Sequence, residues 1–205
     1  MDLPDSDKNE VIRATTLAPF VFISGNDAKI RDALRVLAPH IPISILSFDL
    51  LEIQGEPSEV AIHKCNEALK MTKGNVIIED TALCLEALGG MPGPYIKWFI
   101  HSLDLDGLYK MLVGFNSFKA TVISTVAVGL YNSDGKTEVL LFEARVDGQI
   151  VSPRGNLGDR NGWDPCFEPN NQSMTYSEMD PEARKLHCAR QMALRKALLH
   201  LQTRK

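Results

Sequence analysis

The chain has no CxxC pair, no long apolar run and no excess of positive charge. Its four cysteines, Cys65, Cys84, Cys166 and Cys188, are scattered along 205 residues. That spacing argues against a zinc site and, at this length, against a disulfide framework. They read as reduced thiols of a cytoplasmic compartment. No apolar stretch approaches the roughly 18 residues that cross a bilayer, so no membrane span is expected. With 22 Lys and Arg against 26 Asp and Glu, the formal net charge is −4. Coating a nucleic acid polymer needs clustered positive charge, so none is expected as a partner. A local basic pocket for one small anion remains compatible with that charge. Internal repeats and low-complexity segments are also missing. The segment Met1 to Leu17 carries Asp2, Asp5, Asp7 and Glu10, which suits neither a secretory signal nor an Arg-rich transit peptide. Residues 1–18 are therefore read as a flexible acidic tail, and 19–205 as a single domain.

A hydrophobic content of 44% is ample for a sizeable core. Phe20 to Ile23 is a short apolar run ending in Ser-Gly-Asn, a strand followed by a loop. From Asp27, the residues Ile30, Ala33, Leu34 and Leu37 recur at helical spacing until Pro39 stops them. Ile41 to Phe48 reads as a second strand. Ser58 reads as the N-cap of a helix through Val60, Ala61, Lys64, Cys65, Ala68 and Leu69 to Gly74. A third strand starts at Val76. This β-α-β-α-β alternation predicts a layered α/β architecture. Ala120 to Tyr131 and Thr137 to Val146 are long β-rich runs joined at Asn132-Ser133-Asp134-Gly135, a hairpin signal, and Gln149 to Val151 extends the ladder. Ser152 to Thr175 reads as polar loop, and Pro181 to Leu201 as a last helix. The expected fold is a mixed, elongated central sheet flanked by helices in two lobes, with the active-site cleft between them.

The densest chemistry lies in Val76 to Phe99, VIIEDTALCLEALGGMPGPYIKWF. An apolar strand, Val76 to Ile78, runs into Glu79, Asp80 and Thr81. Carboxylates at the carboxyl end of a buried strand can hold a hard cation such as Mg2+. Charge at the rim of a buried sheet is costly unless a cation, a lysine or helix N–H groups offset it. A Gly-Gly-x-Pro-Gly-Pro turn then delivers Lys97 on an aromatic helix start, where a lysine suits a phosphate. Upstream, Ser24-Gly25-Asn26-Asp27-Ala28-Lys29 links a strand to a helix. Free N–H groups at the helix start would suit an anion; an ordinary Asn or Asp cap with a solvated lysine fits as well. Glu52 and Glu56 flank a turn before the next helix, as metal ligands or as partners of the helix dipole. Gly129 to Thr137, GLYNSDGKT, only imitates a P-loop: it has five residues between its glycines and a strand after it. Gly162-Trp163-Asp164-Pro165 suits a flat ligand, with Asp164 accepting from ring N–H groups, or simply anchors a long loop through Trp163. Arg184, Lys185 and Arg190 read as a solvated basic face.

Taken together these residues resemble the inosine triphosphate pyrophosphatase (Ham1-like) family. SGNDAK, LEIQGEP, HKC, EDT, GGMPGPYIKWF and GWDPCF stand in that family's order and spacing, from about Phe20 to Leu201. The resemblance implies hydrolysis of ITP, dITP and XTP to the monophosphate and pyrophosphate, cleansing the nucleotide pool. It implies that Ser24, Gly25, Asn26, Asp27, Ala28 and Lys29 cradle phosphate. By the same resemblance, Lys64 and Lys97 hold phosphates, Thr81 assists, and Glu52 and Asp80 serve Mg2+ or Mn2+. The metal would orient a water for in-line attack on the α-phosphorus. Asp80, or Glu79 beside it, would activate that water. A homodimer is implied too, with the GGMPGPYIKWF surface as a place for the contact.

The base end departs from the family pattern around Gly162, Trp163 and Asp164. Asn161 stands where the family has a stacking Phe, Arg184 where it has Lys, and Cys188-Ala189 where it has Ser-His, while Arg190 is retained. Base stacking is worth about 1–3 kcal/mol, so loss of an aromatic there bears on selectivity. Altered or broader base specificity, or a weakly active nucleotide-binding paralogue, are the alternatives these departures raise.

Overall fold

The computed structural model describes residues 19–157 and 162–204; the acidic tail and Asn161 lie outside them. The described elements are β1 (Phe20–Ile23), α1 (Asp27–Leu37), β2 (Ile43–Leu46), α2 (Pro57–Thr72) and β3 (Val76–Leu85). They continue with β4 (Pro92–Gly93), α3 (Ile96–Val113), β5 (Lys119–Tyr131), β6 (Thr137–Ile150), β7 (Phe167–Pro169), α4 (Pro181–His187) and α5 (Ala189–Thr203). The strands are ordered β2-β1-β3-β5-β6-β7, with β4 paired to β3. The sheet is mixed: β1 runs parallel to β2 and β3, whereas β4 pairs antiparallel with β3, and β7 with β6. This is the mixed α/β architecture that the sequence predicts.

Two compact units share the chain. Among the described residues, one comprises 19–79, Thr125–Phe142 and 194–204. The other comprises Asp80–Ser124 and Glu143–Ala193. In the first unit α2 lays Ala61, Cys65, Ala68 and Leu69 against Val21, Ile23, Val76 and Ile78. Gly129 on β5 makes that packing possible. A Cβ there would lie 2.7 Å from Val76, 2.8 Å from the Cys65 sulfur and 2.9 Å from Leu69. The first glycine of the P-loop imitation is thus a packing residue in a strand. The second unit has its own core, with Leu83, Leu85, Leu108, Leu112, Phe167 and Tyr176 at its centre.

Several boundaries differ from expectation for local reasons. The helix start assigned to Ser58 falls at Pro57 with Glu56 as N-cap, because Glu56 and Glu59 form a reciprocal capping box and proline suits the first helical position. β3 does not end at Ile78: it carries Glu79, Asp80 and Thr81 in mid-strand and continues to Leu85. The expected loop from Ser152 to Thr175 contains a 3-10 turn, Asp164–Cys166, and β7. The last helix is two helices, parted at Cys188, whose backbone is extended (φ −87°, ψ 116°). Tyr176 pins that break: its hydroxyl donates to His187 O at 2.7 Å and accepts from Ala189 N at 3.4 Å. α3 is kinked at Asp104, which sits at φ 58°, ψ −179°, a conformation almost reserved for glycine.

Candidate active site

In the first unit the candidate residues gather beyond the ends of the parallel strands β1 and β2, beside β3. Phe22 aligns with Ile45 on β2 and with Ile77 on β3, so the segments after β1 and β2 leave the sheet beside Glu79, which β3 carries onward. Ligands of open parallel sheets bind at such carboxyl edges. Residues 24–26 form a self-bonded turn. Asn26 N donates to Ser24 Oγ at 3.1 Å, and Ala28 N and Lys29 N donate to Asn26 Oδ1 at 2.9 and 3.1 Å. The capping reading of this segment is therefore correct, and Asn26 occupies two amides that were candidates for phosphate.

The accompanying expectation of a solvated lysine is not met. Lys29 Nζ donates to Glu79 O at 3.0 Å and lies 3.1 Å from Glu79 Oε2. The Glu79 side chain is fully buried, and that of Lys29 is 16% exposed. A buried carboxylate needs a cation or several donors beside it, and Lys29, one turn into α1, supplies the cation. Successive residues of a strand face opposite sides. Within β3, Glu79 and Thr81 thus share one face and Asp80 takes the other. The two acid side chains leave β3 on opposite faces.

A second pair joins two other candidates. Lys64 Nζ donates to Glu52 Oε1 at 2.8 Å. Lys64 lies on the buried face of α2, which brings its ammonium back over the turn before the helix. Asp49 is a residue that the sequence reading passed over: its carboxylate rests on Gly25. It was hidden because β2 reads as running to Phe48 in sequence, whereas β2 ends at Leu46 and frees the next residues for the loop.

In the second unit Asp80 is buried, Thr81 is half-buried and Lys97 is exposed in the first turn of α3. A cation in that turn lies at the wrong end of the helix dipole for stability. Farther along, Gly162 at φ 67° turns the chain into Trp163. Trp163 is 7% exposed and packs edge-on to Phe167 at 5.9 Å and against Tyr176 at 6.1 Å. This packing is that of a loop anchor. Arg184 does not belong to a solvated face. Its guanidinium donates to Asp164 Oδ2 at 2.9 Å and Tyr176 O at 2.6 Å, and its centre lies 5.4 Å from the Tyr176 ring centroid. It also reaches the Cys188 sulfur at 3.9 Å. Ala189 is fully buried at the start of α5 and Arg190 half-buried beside it. Tyr176, the centre of this cluster, carried no distinguishing signal in the sequence. Burial first, then the nearby Cys188, raises its phenol well above the usual range.

No group of three or more His, Cys, Asp or Glu is placed to hold a metal ion among the described residues. Glu52 and Asp80 are nonetheless hard oxygen donors, and Mg2+ is commonly held by only one or two carboxylates together with substrate phosphates and water. Glu52, in the first unit, and Asp80, in the second, are each the kind of donor that ion takes. Among the described residues no helix is long and apolar enough to cross a membrane, and all four cysteines are free thiols.

Fold and side chains together describe a mixed α/β protein whose candidate residues include the acid–lysine pairs Lys29–Glu79 and Lys64–Glu52. Comparison with known proteins gives the relationship. The Ham1 family profile matches residues 20–200. An inosine triphosphate pyrophosphatase from Puccinia graminis f. sp. tritici is 43% identical over 192 residues, covering 90% of this chain and 97% of that protein. The Ham1 protein of Staphylococcus aureus superposes with a TM-score of 0.71 at 22% identity, covering 90% of this chain and all of the other. A HAM1 protein from Coxiella burnetii gives a TM-score of 0.74 at 21% identity, covering 91% of this chain and 98% of its own. The chain belongs to the Ham1 family. It is an enzyme, a hydrolase acting on acid anhydrides.

Proposed function

We propose that this chain hydrolyses inosine triphosphate and the related dITP and XTP to the nucleoside monophosphate and pyrophosphate, with Mg2+ as the cofactor. The observation that carries the reading is the retained set of acids and lysines, paired as Lys29–Glu79 and Lys64–Glu52, in a chain 43% identical to a relative named for this activity. Lys64 and Lys97 bind the phosphates, and Lys29, held by Glu79, sets the loop at residues 24–26 beside them. Fixed ammonium groups stabilise charge that builds on the phosphate oxygens in the transition state. Asp80, on the opposite face of β3 from Glu79, takes the proton of the attacking water. That division leaves Glu79 as a positioning residue. Glu52 and Asp80 are the residues that would hold Mg2+, which would supply charge neutralisation on the triphosphate; Mn2+ would accept the same oxygen donors. The reading places the protein in the cytoplasm as a homodimer. Purified protein given ITP and Mg2+ should release pyrophosphate; no release, or orthophosphate alone, would sink it.

A second reading keeps the chemistry and broadens the base. Asp164 already accepts from Arg184, which leaves it less capacity for ring N–H donors, and Trp163 is committed to the core. A panel of ITP, XTP, GTP and ATP decides between them, since comparable kcat/KM values favour the broader enzyme and a strong preference for ITP removes it.

A further inference from the structure

We propose that Arg154 is a positioning residue for the base end of the site, acting through the segment from Ser173 to Glu178. The inference rests on the reading above that Asp164, with its partner Arg184, faces the base, and all its residues belong to the second unit. Past the end of β6 the chain stays bonded to the segment before β7. Val151 N donates to Cys166 O at 2.8 Å, and Arg154 N to Pro165 O at 3.0 Å. The Arg154 guanidinium then meets three acceptors. Its Nε donates to Glu178 Oε2 at 3.2 Å, and its Nη2 donates to Glu168 Oε2 and, at 3.2 Å, to Ser173 O. A planar fork suits such a set, where the point charge of a lysine would not. Each acid is also held from elsewhere: Glu168 accepts from Gln149 Nε2 at 2.8 Å, and Glu178 from Thr175 N at 2.7 Å.

The segment so clamped carries the supports of the Asp164–Arg184 pair. Ser177 N donates to Asp164 O at 3.3 Å, and Tyr176 O accepts from Arg184 Nη1 at 2.6 Å. The Tyr176 hydroxyl bridges His187 O and Ala189 N across the break between α4 and α5. Both members of the pair thus hang on backbone that Arg154 holds in place. Glu178 stands close enough to Glu168 to raise its carboxyl, an effect that the hydrogen bond from Arg154 outweighs. Without the guanidinium the two acids would repel, the segment would open, and the pair would lose its orientation. None of the Arg154 side-chain bonds involves a residue proposed to hold phosphate, so the loss should fall on the base end.

The test compares the parent with Arg154→Met, Glu178→Gln and the double variant. Readouts are KM and kcat for ITP with Mg2+, and the inhibition constants of inosine monophosphate, which carries a base, and of inorganic pyrophosphate, which does not. Arg154→Met is expected to raise KM and the inosine monophosphate constant about tenfold, with kcat and the pyrophosphate constant within about twofold of the parent. Glu178→Gln should raise the same two constants about threefold. The double variant should be no worse than Arg154→Met, because the two side chains act as one clamp and the glutamine removes one of the facing acids. Inhibition constants for inosine monophosphate and pyrophosphate that rise together, an inosine monophosphate constant that does not rise in a folded variant, or additive losses in the double variant would overturn the proposal while leaving the pyrophosphatase reading intact. A parent protein that neither turns over ITP nor binds inosine monophosphate overturns both. If Arg154→Met fails to fold, Glu178→Gln decides alone.

Discussion

Lys29 and Glu79 offer the sharpest test of how the first unit is built. Replacing Lys29 by Met keeps the length and most of the volume of the side chain but removes the cation 3.1 Å from Glu79 Oε2. The Glu79 side chain is fully buried, so water cannot replace that partner without rearrangement. Breaking one side of a buried pair costs about 3–5 kcal/mol. Because Lys29 is 16% exposed, the lower end, roughly 3 kcal/mol, is expected. Glu79→Gln should cost less, about 1–2 kcal/mol, because the Glu79 carbonyl still accepts from Lys29 and one charged hydrogen bond is weakened. The double variant should recover about 2 kcal/mol relative to the sum of the singles. Urea unfolding followed by circular dichroism measures all three. For a chain of this size the Lys29→Met loss corresponds to roughly 6–12 °C in melting temperature. Additive single costs, or a Lys29→Met loss under about 1 kcal/mol, would show that the pair is not the buried anchor described.

Asp104→Gly should raise stability by about 1 kcal/mol, because glycine adopts φ 58°, ψ −179° without the strain a side chain adds there; an unchanged or lower melting temperature refutes this. Arg184→Met removes the donor to Asp164 and Tyr176 O and should cost about 2 kcal/mol, while shifting the ITP-to-GTP ratio of kcat/KM more than a distant destabilising variant does. Burial pushes the Cys65 and Cys166 thiols from 9.0 up to about 12. Between those values the unfolded thiol has lost its proton and the folded one keeps it, so stability should fall as pH rises from 9 toward 12. Each thiol contributes up to about 1.4 kcal/mol per pH unit, and a flat denaturation midpoint over that window contradicts it.

Much of this was legible in the sequence because it depends on local pattern. The alternation of apolar runs with helical spacing located β1, α1, α2 and the β5–β6 hairpin to within a few residues, since those periods reflect burial on one face. The candidate acids and lysines could be named, but their pairings could not. Lys29 and Glu79 stand 50 residues apart in the chain, and only the parallel register of β1 with β3 makes them neighbours. Glu79 looked like a catalytic acid because strand and acid were read as consecutive; with β3 running on to Leu85, alternation assigns it to the opposite face from Asp80. Arg184 was misjudged because basic residues on a helix are usually solvated, and the Tyr176 ring beneath it comes from a loop with no periodic signal. Asp49 went unseen because Gly25, on which its carboxylate rests, stands 24 residues away in the chain.

In the proposed reaction water attacks the α-phosphorus and Asp80 activates it. Hydrolysis of ITP in 18O-labelled water, followed by mass spectrometry of both products, tests it most directly. The label should appear in inosine monophosphate, and Asp80→Asn should slow its appearance by about 100-fold or more. Label in the pyrophosphate, or an Asp80→Asn variant with undiminished turnover, would contradict the claim.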